Sequence, residues 1–247
     1  MCFTKVYYNS QRGYNRVIMY HGTEKERGKK IVAEQKMIPS ISDDRRQHWL
    51  GDGIYLYREM LYAFRWIELM YINHFGDTKI KEDLLKRYAV LRVTVHYNPE
   101  RIFNLDNPEH LMIFKNTELA YKKKSAFSSK IQKLEYSDGV IMNILFKNLT
   151  YGENYDAVEA VFPTVDLDEM LTEKSRFQSI HEYQICIKND NIIGRIEDVS
   201  EEIDFDIYYH RLADFENFRK RWGTKHCGTV KYVGGQRGGK YGKWQKS

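Results

Sequence analysis

Three short stretches carry residue types suited to holding a polar ligand: Tyr20-His21-Gly22-Thr23, Gly51-Asp52-Gly53-Ile54-Tyr55 and His181-Glu182-Tyr183-Gln184-Ile185-Cys186-Ile187. In the first, an imidazole stands beside a glycine, whose backbone can approach a ligand closely because no Cβ intervenes. In the second, two glycines place the backbone tightly before a tyrosine on a strand. In the third, Glu182 and Gln184 are two apart at the start of a strand and therefore share one face. Each stretch also has a structural reading: a strand-end histidine, a core tyrosine and an ordinary sheet edge.

The elements that must position these residues follow from periodicity and turn chemistry. Val17 to His21 is a short apolar run stopped by Gly22-Thr23 and reads as a buried strand. An amphipathic helix is expected over Glu24 to Lys36, then a loop at Pro39 to Ser42. Gly51 to Tyr57 opens with turn residues and continues with strand formers, and from Arg58 the apolar positions Leu61, Phe64, Ile67 and Tyr71 recur at helical spacing. Gly76 to Arg87 reads as a charged connection or frayed helix, and Val90 to Tyr97 as a β-branched strand. Pro108 to Lys133 is helix-compatible, with Leu111, Met112, Phe114, Leu119 and Ile131 as anchors. Val140 to Leu149 fits either a buried helix or a strand. Ala157 to Phe162 predicts a strand closed by Pro163, Asp166 to Ile180 a loop or helix-loop, and Tyr183 to Lys188 with Ile192 to Val199 a β-hairpin around Asn189-Asp190-Asn191. Phe205 to Trp222 predicts a helix.

The 247 residues, 30% charged and 42% hydrophobic, exclude collagenous, mucin-like and wholly disordered classes and suffice for a sizeable core. Three widely spaced cysteines, Cys2, Cys186 and Cys227, fit a reducing compartment better than a disulfide framework and form no zinc pattern. Neither a signal core nor a membrane-spanning apolar run is present, so a cytoplasmic protein is expected. The net charge of +5 is concentrated at the C-terminal end: residues 217–247 hold nine Lys/Arg and no Asp/Glu, leaving 30 basic against 34 acidic residues before them. The segment from Val233 to Trp244 mixes glycines with Arg237, Lys240, Tyr241, Lys243 and Trp244. Cations attract phosphate backbones and aromatic rings stack on bases, so these five residues are candidate nucleic-acid contacts; a solvated tail is the alternative.

In this order and at these separations, the three stretches resemble the His, Tyr, Glu signature of the diphtheria-toxin and poly(ADP-ribose) polymerase branch of the ADP-ribosyltransferases. Tyr-His-Gly-Thr resembles its first motif, Gly-Asp-Gly-Ile-Tyr-Leu its second, and Glu-Tyr-Gln-Ile-Cys-Ile the strand carrying its catalytic residue; Ala63 and Trp66, in the helix after the second motif, also look like the family. The resemblance covers Arg16 to Val199 discontinuously. It implies NAD as co-substrate and no metal, with His21, Gly22, Thr23, Gly53, Tyr55, Ala63 and Trp66 around it: Gly22 backbone groups on the carboxamide, His21 on a ribose hydroxyl, Tyr55 stacked on the nicotinamide. The acidic residue of the third motif would bind the ribose 2′-hydroxyl and stabilise an oxocarbenium-like state. The Glu-Tyr dipeptide favours Glu182 for that place, whereas counting back from the turn favours Gln184. A glutamine carbonyl accepts the hydrogen bond but carries no charge, so Glu182 is physically the better candidate. The segment Asp166 to His181 resembles the family's target-recognition loop.

The implied fold is α+β, with two mostly antiparallel sheets around an NAD cleft: residues 1–204 form the catalytic domain, with a helical insertion at about 107–135, and residues 205–247 a C-terminal helix and basic tail. The leading expectation is a mono-ADP-ribosyltransferase toxin of toxin-antitoxin or phage-defence type, acting on a nucleic acid (RNA or single-stranded DNA) and neutralised by an antitoxin protein. A protein acceptor, an NAD glycohydrolase and a noncatalytic nucleic-acid-binding module on the same fold are the alternatives. A dinucleotide-binding dehydrogenase is disfavoured, because no Gly-x-Gly-x-x-Gly opens a helix after a strand, and metal catalysis because the histidines lack ligand spacing.

Overall fold

The computed structural model describes residues 7–8, 15–42, 48–76, 79–125, 138–165, 180–209, 230–232 and 244–246. In chain order its elements are β1 (Tyr7–Tyr8), β2 (Asn15–Glu24), α1 (Lys25–Glu34), β3 (Ile54–Tyr57), α2 (Met60–Phe75), α3 (Ile80–Arg87), β4 (Tyr88–Tyr97), β5 (Ile102–Asn104), α4 (Pro108–Ser125), α5 (Asp138–Asn143), α6 (Tyr151–Asn154), β6 (Ala157–Val165), β7 (Ile180–Ile187), β8 (Ile193–Asp198), β9 (Val230–Tyr232) and β10 (Trp244–Lys246). This is a mixed α/β architecture built on one sheet in the order β5-β6-β7-β3-β2-β4-β8, with β1 also paired to β2; β9 and β10 form a separate pair. All ladders are antiparallel except β5 with β6. The two halves of the main sheet meet at one residue pair, Tyr20 with Tyr57. Among the described residues no helix is long and apolar enough to cross a membrane.

Alternation of side chains sorts the core. Val17 and Met19 of β2, Ile54 and Leu56 of β3, Leu91 and Val93 of β4 and Ile185 and Ile187 of β7 share one cluster with Ile31 of α1. α1 is held there by Gln35, whose left-handed backbone ends the helix and whose amide bonds both the N–H and the C=O of Ile196 on β8. Two further clusters involve the residues that alternate with these. Tyr57 and Val90 pack with α2 and α3 through Phe64, Ile67 and Leu84; Val158, Ala160 and Cys186 pack with α4 and α5 through Phe114, Ile141 and Met142. The boundary between these last two clusters falls on β3 and β7, the strands of the second and third motifs.

Several expectations are corrected by the way strand edges are used. The predicted hairpin does not form: β7 is flanked on both sides, by β3 and β6, so β8 pairs with the free edge of β4 instead. Its turn residues make a 3₁₀ turn at Asp190–Ile192, with Asn189 donating to Asp156. β6 runs past Pro163 to Val165 through a register shift; its other neighbour, β5, ends at the level of Glu159, so the missing N–H breaks no ladder there. Residues 80–87 form a true helix because Ile80 and Leu84, one turn apart, are both buried. Val140 to Leu149 is helical as far as Asn148, with a π-helical turn at Ile144–Asn148. Of the expected anchors in α4, Phe114 is buried whereas Leu111, Met112 and Leu119 are exposed; Ile131 lies outside the described residues. Phe205 to Tyr209 is helical, and the rest of that expected helix also falls outside them.

One buried carboxylate ties the sheet together. Glu159 of β6, whose side chain is 2% exposed, receives hydrogen bonds from Arg58 Nη2 at 2.6 Å and from the Tyr97 hydroxyl of β4 at 2.8 Å. Removing it leaves Arg58, already 41% exposed, free to rehydrate. Glu159→Ala is therefore expected to cost about 2 kcal/mol in urea denaturation, below the roughly 3–5 typical of a fully enclosed pair.

Candidate active site

β2 and β3 part beyond Tyr20 and Tyr57. From His21 to Glu24, β2 stays paired with β4 on one side and has no strand partner on the other among the described residues, so some of its backbone N–H and C=O groups face the opening. His21 Nδ1 lies 2.9 Å from the backbone oxygen of Tyr55. A carbonyl only accepts, so Nδ1 carries the proton and Nε2 presents a lone pair. Burial, opposed by that hydrogen bond, lowers the His21 pKa to about 4, which keeps the ring neutral at physiological pH. A neutral Nε2 acceptor suits a ligand hydroxyl.

Gly22 is constrained from the α2 side. A Cβ at this position would stand 2.5 Å from the Ala63 carbonyl oxygen, 2.8 Å from Ile67 Cγ2 and 3.2 Å from Trp66 Cδ1. The Ala63 and Trp66 singled out in the sequence thus meet Gly22 directly, with Trp66 partly exposed and Ala63 fully buried. Thr23 is buried, with its methyl 3.3 Å from the Cβ position of Gly28 on α1, which is a packing role. Gly53 exchanges both backbone hydrogen bonds with Ser40 and sits against Cys186 Sγ, at a φ of 154°.

The Tyr55 hydroxyl is fully engaged: it donates to the Gly51 carbonyl at 2.7 Å and accepts from the Leu50 N–H at 2.9 Å. Burial raises its pKa, and its ring packs at a tilt beside His48. The hydroxyl is therefore committed to the loop, and the ring packs against the third core cluster. Both tyrosines of β3 pair with the third stretch, Tyr55 with Cys186 and Tyr57 with Gln184, so Tyr57 is the one opposite a candidate for the catalytic place. Gln184 Nε2 donates to Glu182 Oε1, so the two candidates for the catalytic place form one unit. Burial raises the Glu182 pKa, opposed by the Gln184 hydrogen bond and by the charge of Arg65. Arg65 of α2 is 5% exposed, and its Nη2 has no hydrogen-bond partner among the described residues.

Sequence reasoning missed Tyr57 and Arg65. Tyr57 could have been found from strand alternation, two residues after Tyr55, whereas Arg65 carries no local signal beyond its place between Ala63 and Trp66. Of the tail candidates, Arg237, Lys240, Tyr241 and Lys243 lie outside the described residues, and Trp244 pairs across β10 and β9 with Tyr232. Of the expected target-recognition loop, Asp166 to His181, residues 166–179 also lie outside them, and Ile180 and His181 begin β7. Among the described residues no three His, Cys, Asp or Glu side chains gather as a metal site.

Gly22→Ala would drive a methyl into a backbone carbonyl, and should destabilise the fold by about 1–3 kcal/mol in chemical denaturation. The depressed His21 pKa also has a stability signature. Between about pH 6.5 and pH 4 the unfolded imidazole binds a proton that the folded one refuses, so stability falls as pH falls through that window, by at most about 3 kcal/mol. Urea midpoints measured from pH 7 to 4 should drop less steeply for His21→Gln than for the wild type.

No protein-family model and no solved structure matches the chain. Among curated proteins, an uncharacterized protein of Methanocaldococcus jannaschii, MJ0359, is 32% identical over 217 residues, spanning 81% of this chain and 95% of that one. The alignment spans nearly the whole of the archaeal chain, and the chain belongs to the same protein family as MJ0359.

Proposed function

We propose that this protein is an NAD-dependent mono-ADP-ribosyltransferase whose acceptor is a nucleic acid. The observation that carries the reading is the adjacency of the three motif strands. β7, β3 and β2 are consecutive in the sheet, so motifs about 35 and 125 residues apart in the chain converge on one opening. Around it stand a neutral imidazole with an acceptor nitrogen, a side-chain-free backbone at Gly22 facing the edge of Trp66, and a half-buried carboxylate bonded by Gln184. In this reading the halves of the sheet, which among the described residues share the one ladder pair Tyr20 with Tyr57, form the two walls of an NAD cleft. The resemblance to the ADP-ribosyltransferases supplies the reaction.

The chemistry follows from those groups. Nicotinamide seats against Gly22 and Trp66, its carboxamide on the open backbone edge of β2 and its ring on the indole. His21 Nε2 accepts from a ribose hydroxyl. The bond between C1′ and the nicotinamide nitrogen breaks with its electron pair leaving on nicotinamide, and the Glu182 carboxylate stabilises the cation left on the ribose. A lone pair of the acceptor then bonds to C1′, and the acceptor's proton passes to solvent. Gln184 serves as the neutral donor that fixes Glu182. A toxin role with a neutralising partner protein rests on the resemblance alone.

The test is incubation of the purified protein with radiolabelled NAD and, separately, RNA, single-stranded DNA, duplex DNA and protein extract. Label entering one nucleic acid supports the reading, free ADP-ribose alone would make the protein a glycohydrolase, and intact NAD in every reaction would overturn both. Glu182→Gln should lower turnover by about 10²–10³-fold, the scale of losing one transition-state stabiliser. The substitution keeps the side-chain shape and an oxygen for the Gln184 bond, so thermal melts should show a folded variant, and loss of turnover without unfolding separates a catalytic Glu182 from a structural one.

A further inference from the structure

Residues 48–53 form a loop held with unusual completeness. The Gly51 N–H donates to the His48 carbonyl, the Leu50 N–H and the Gly51 carbonyl both bond the Tyr55 hydroxyl, and the Asp52 N–H donates to Asn143 Oδ1 at 2.7 Å. Beneath it the Lys188 ammonium donates to the Leu50 and Asp52 carbonyls, each at 2.6 Å. Leu50 is buried, yet its neighbour Trp49 is 62% exposed. A fixed loop that leaves the largest apolar side chain in water is organised to present it rather than to bury it.

The place where it is presented matters. The Trp49 ring lies 5.1 Å from that of Phe162, at a tilt of 46°. Phe162 is the direct cross-strand partner of Glu182, and directly opposed residues of an antiparallel pair have Cβ atoms about 5 Å apart on the same face. The two rings therefore extend outward from the carboxylate.

We infer that Trp49 and Phe162 form the acceptor subsite, a stacking platform that holds an unpaired base of a single-stranded nucleic acid beside Glu182. The inference rests on the transferase reading for its role and deepens it by naming the acceptor's chemistry. A planar base matches the exposed indole face, and stacking tolerates any base. The charge of the chain favours a nucleic acid over an aromatic side chain of a protein: residues 217–247 bring nine cations and no acidic residue to the same polypeptide, which suits a phosphate backbone. A duplex keeps its bases stacked on one another and cannot use such a platform without extruding one.

The test uses the full chain without NAD, its Trp49→Ala and Trp49→Tyr variants, and end-labelled DNA and RNA single strands of about ten nucleotides, each compared by fluorescence anisotropy with an abasic strand of equal length. The wild type should bind the base-bearing strand about tenfold more tightly than the abasic one, the scale of one stacked base. Trp49→Ala should bring that ratio near one, and Trp49→Tyr should restore most of it. Thermal melts confirm that each variant is folded. A wild-type ratio near one, or an undiminished ratio in Trp49→Ala, overturns the subsite. So does transfer of label from NAD into protein alone that Trp49→Ala abolishes, which would make the platform a protein-binding one. Absence of NAD turnover with the stacking ratio intact would overturn the transferase reading and leave the base-binding platform standing.

Discussion

β2 and β3 touch at Tyr20 and Tyr57 and then separate, β2 remaining with β4 and β3 with β7. Everything distinctive about the site depends on that parting. A continuous ladder would consume the backbone groups of residues 21–24 on both sides and would leave no acceptors or donors for a ligand. What keeps the opening from closing or drifting is a side chain: His21 reaches across it to the Tyr55 carbonyl. The bond settles the tautomer of the imidazole at the same time, so one contact sets both the width of the gap and the chemistry offered within it. α2 then caps the opening through Ala63, Trp66 and Ile67, which lie so close to Gly22 that no other residue fits there without a shift.

The loop before β3 is stiffened by a partly buried cation. Lys188 holds the carbonyls of Leu50 and Asp52 from below while its ammonium lies over the Phe146 ring, and burial lowers its pKa. The Tyr55 hydroxyl completes the same lattice from β3. Tyr55 is thus a structural member of the loop through its oxygen, and its ring packs on the core beneath.

Elements fixed by local periodicity were legible in the sequence. α1 and α2 bury one side each, and the β-branched run of β4 is buried on both faces from Tyr88 to Leu91 and from Val93 to Val95, as a central strand should be. The pairing of β7 was not legible, because Asn189-Asp190-Asn191 has hairpin chemistry and only the occupation of both β7 edges forbids a hairpin. The length of β6 was misread for a related reason: Pro163 ends a strand only if its N–H is needed, and the neighbour that would need it stops short. In the site, His21, Gly22, Trp66 and Glu182 were visible as types at spacings, while Arg65 and Tyr57 acquire meaning only from what the third dimension places beside them. The choice between Glu182 and Gln184 was open in the sequence because residues two apart on a strand are equivalent by alternation; the hydrogen bond joins them into one unit, and the proposed reading makes of it a division of labour.

That division has an electrostatic rationale. A buried carboxylate needs donors, since desolvation alone pushes it toward its neutral form. A cation in direct contact would keep it ionised but would also offset the field it offers to a developing positive charge on a substrate. Gln184 supplies a donor without net charge, so it can orient Glu182 without cancelling it. Arg65 acts on Glu182 electrostatically while its Nη2 stays without a hydrogen-bond partner among the described residues. A buried guanidinium hydrogen with no acceptor is costly to the folded state. It is tolerated where it keeps a neighbouring carboxylate charged while leaving that carboxylate's oxygens available, which is the condition a cation-stabilising site requires.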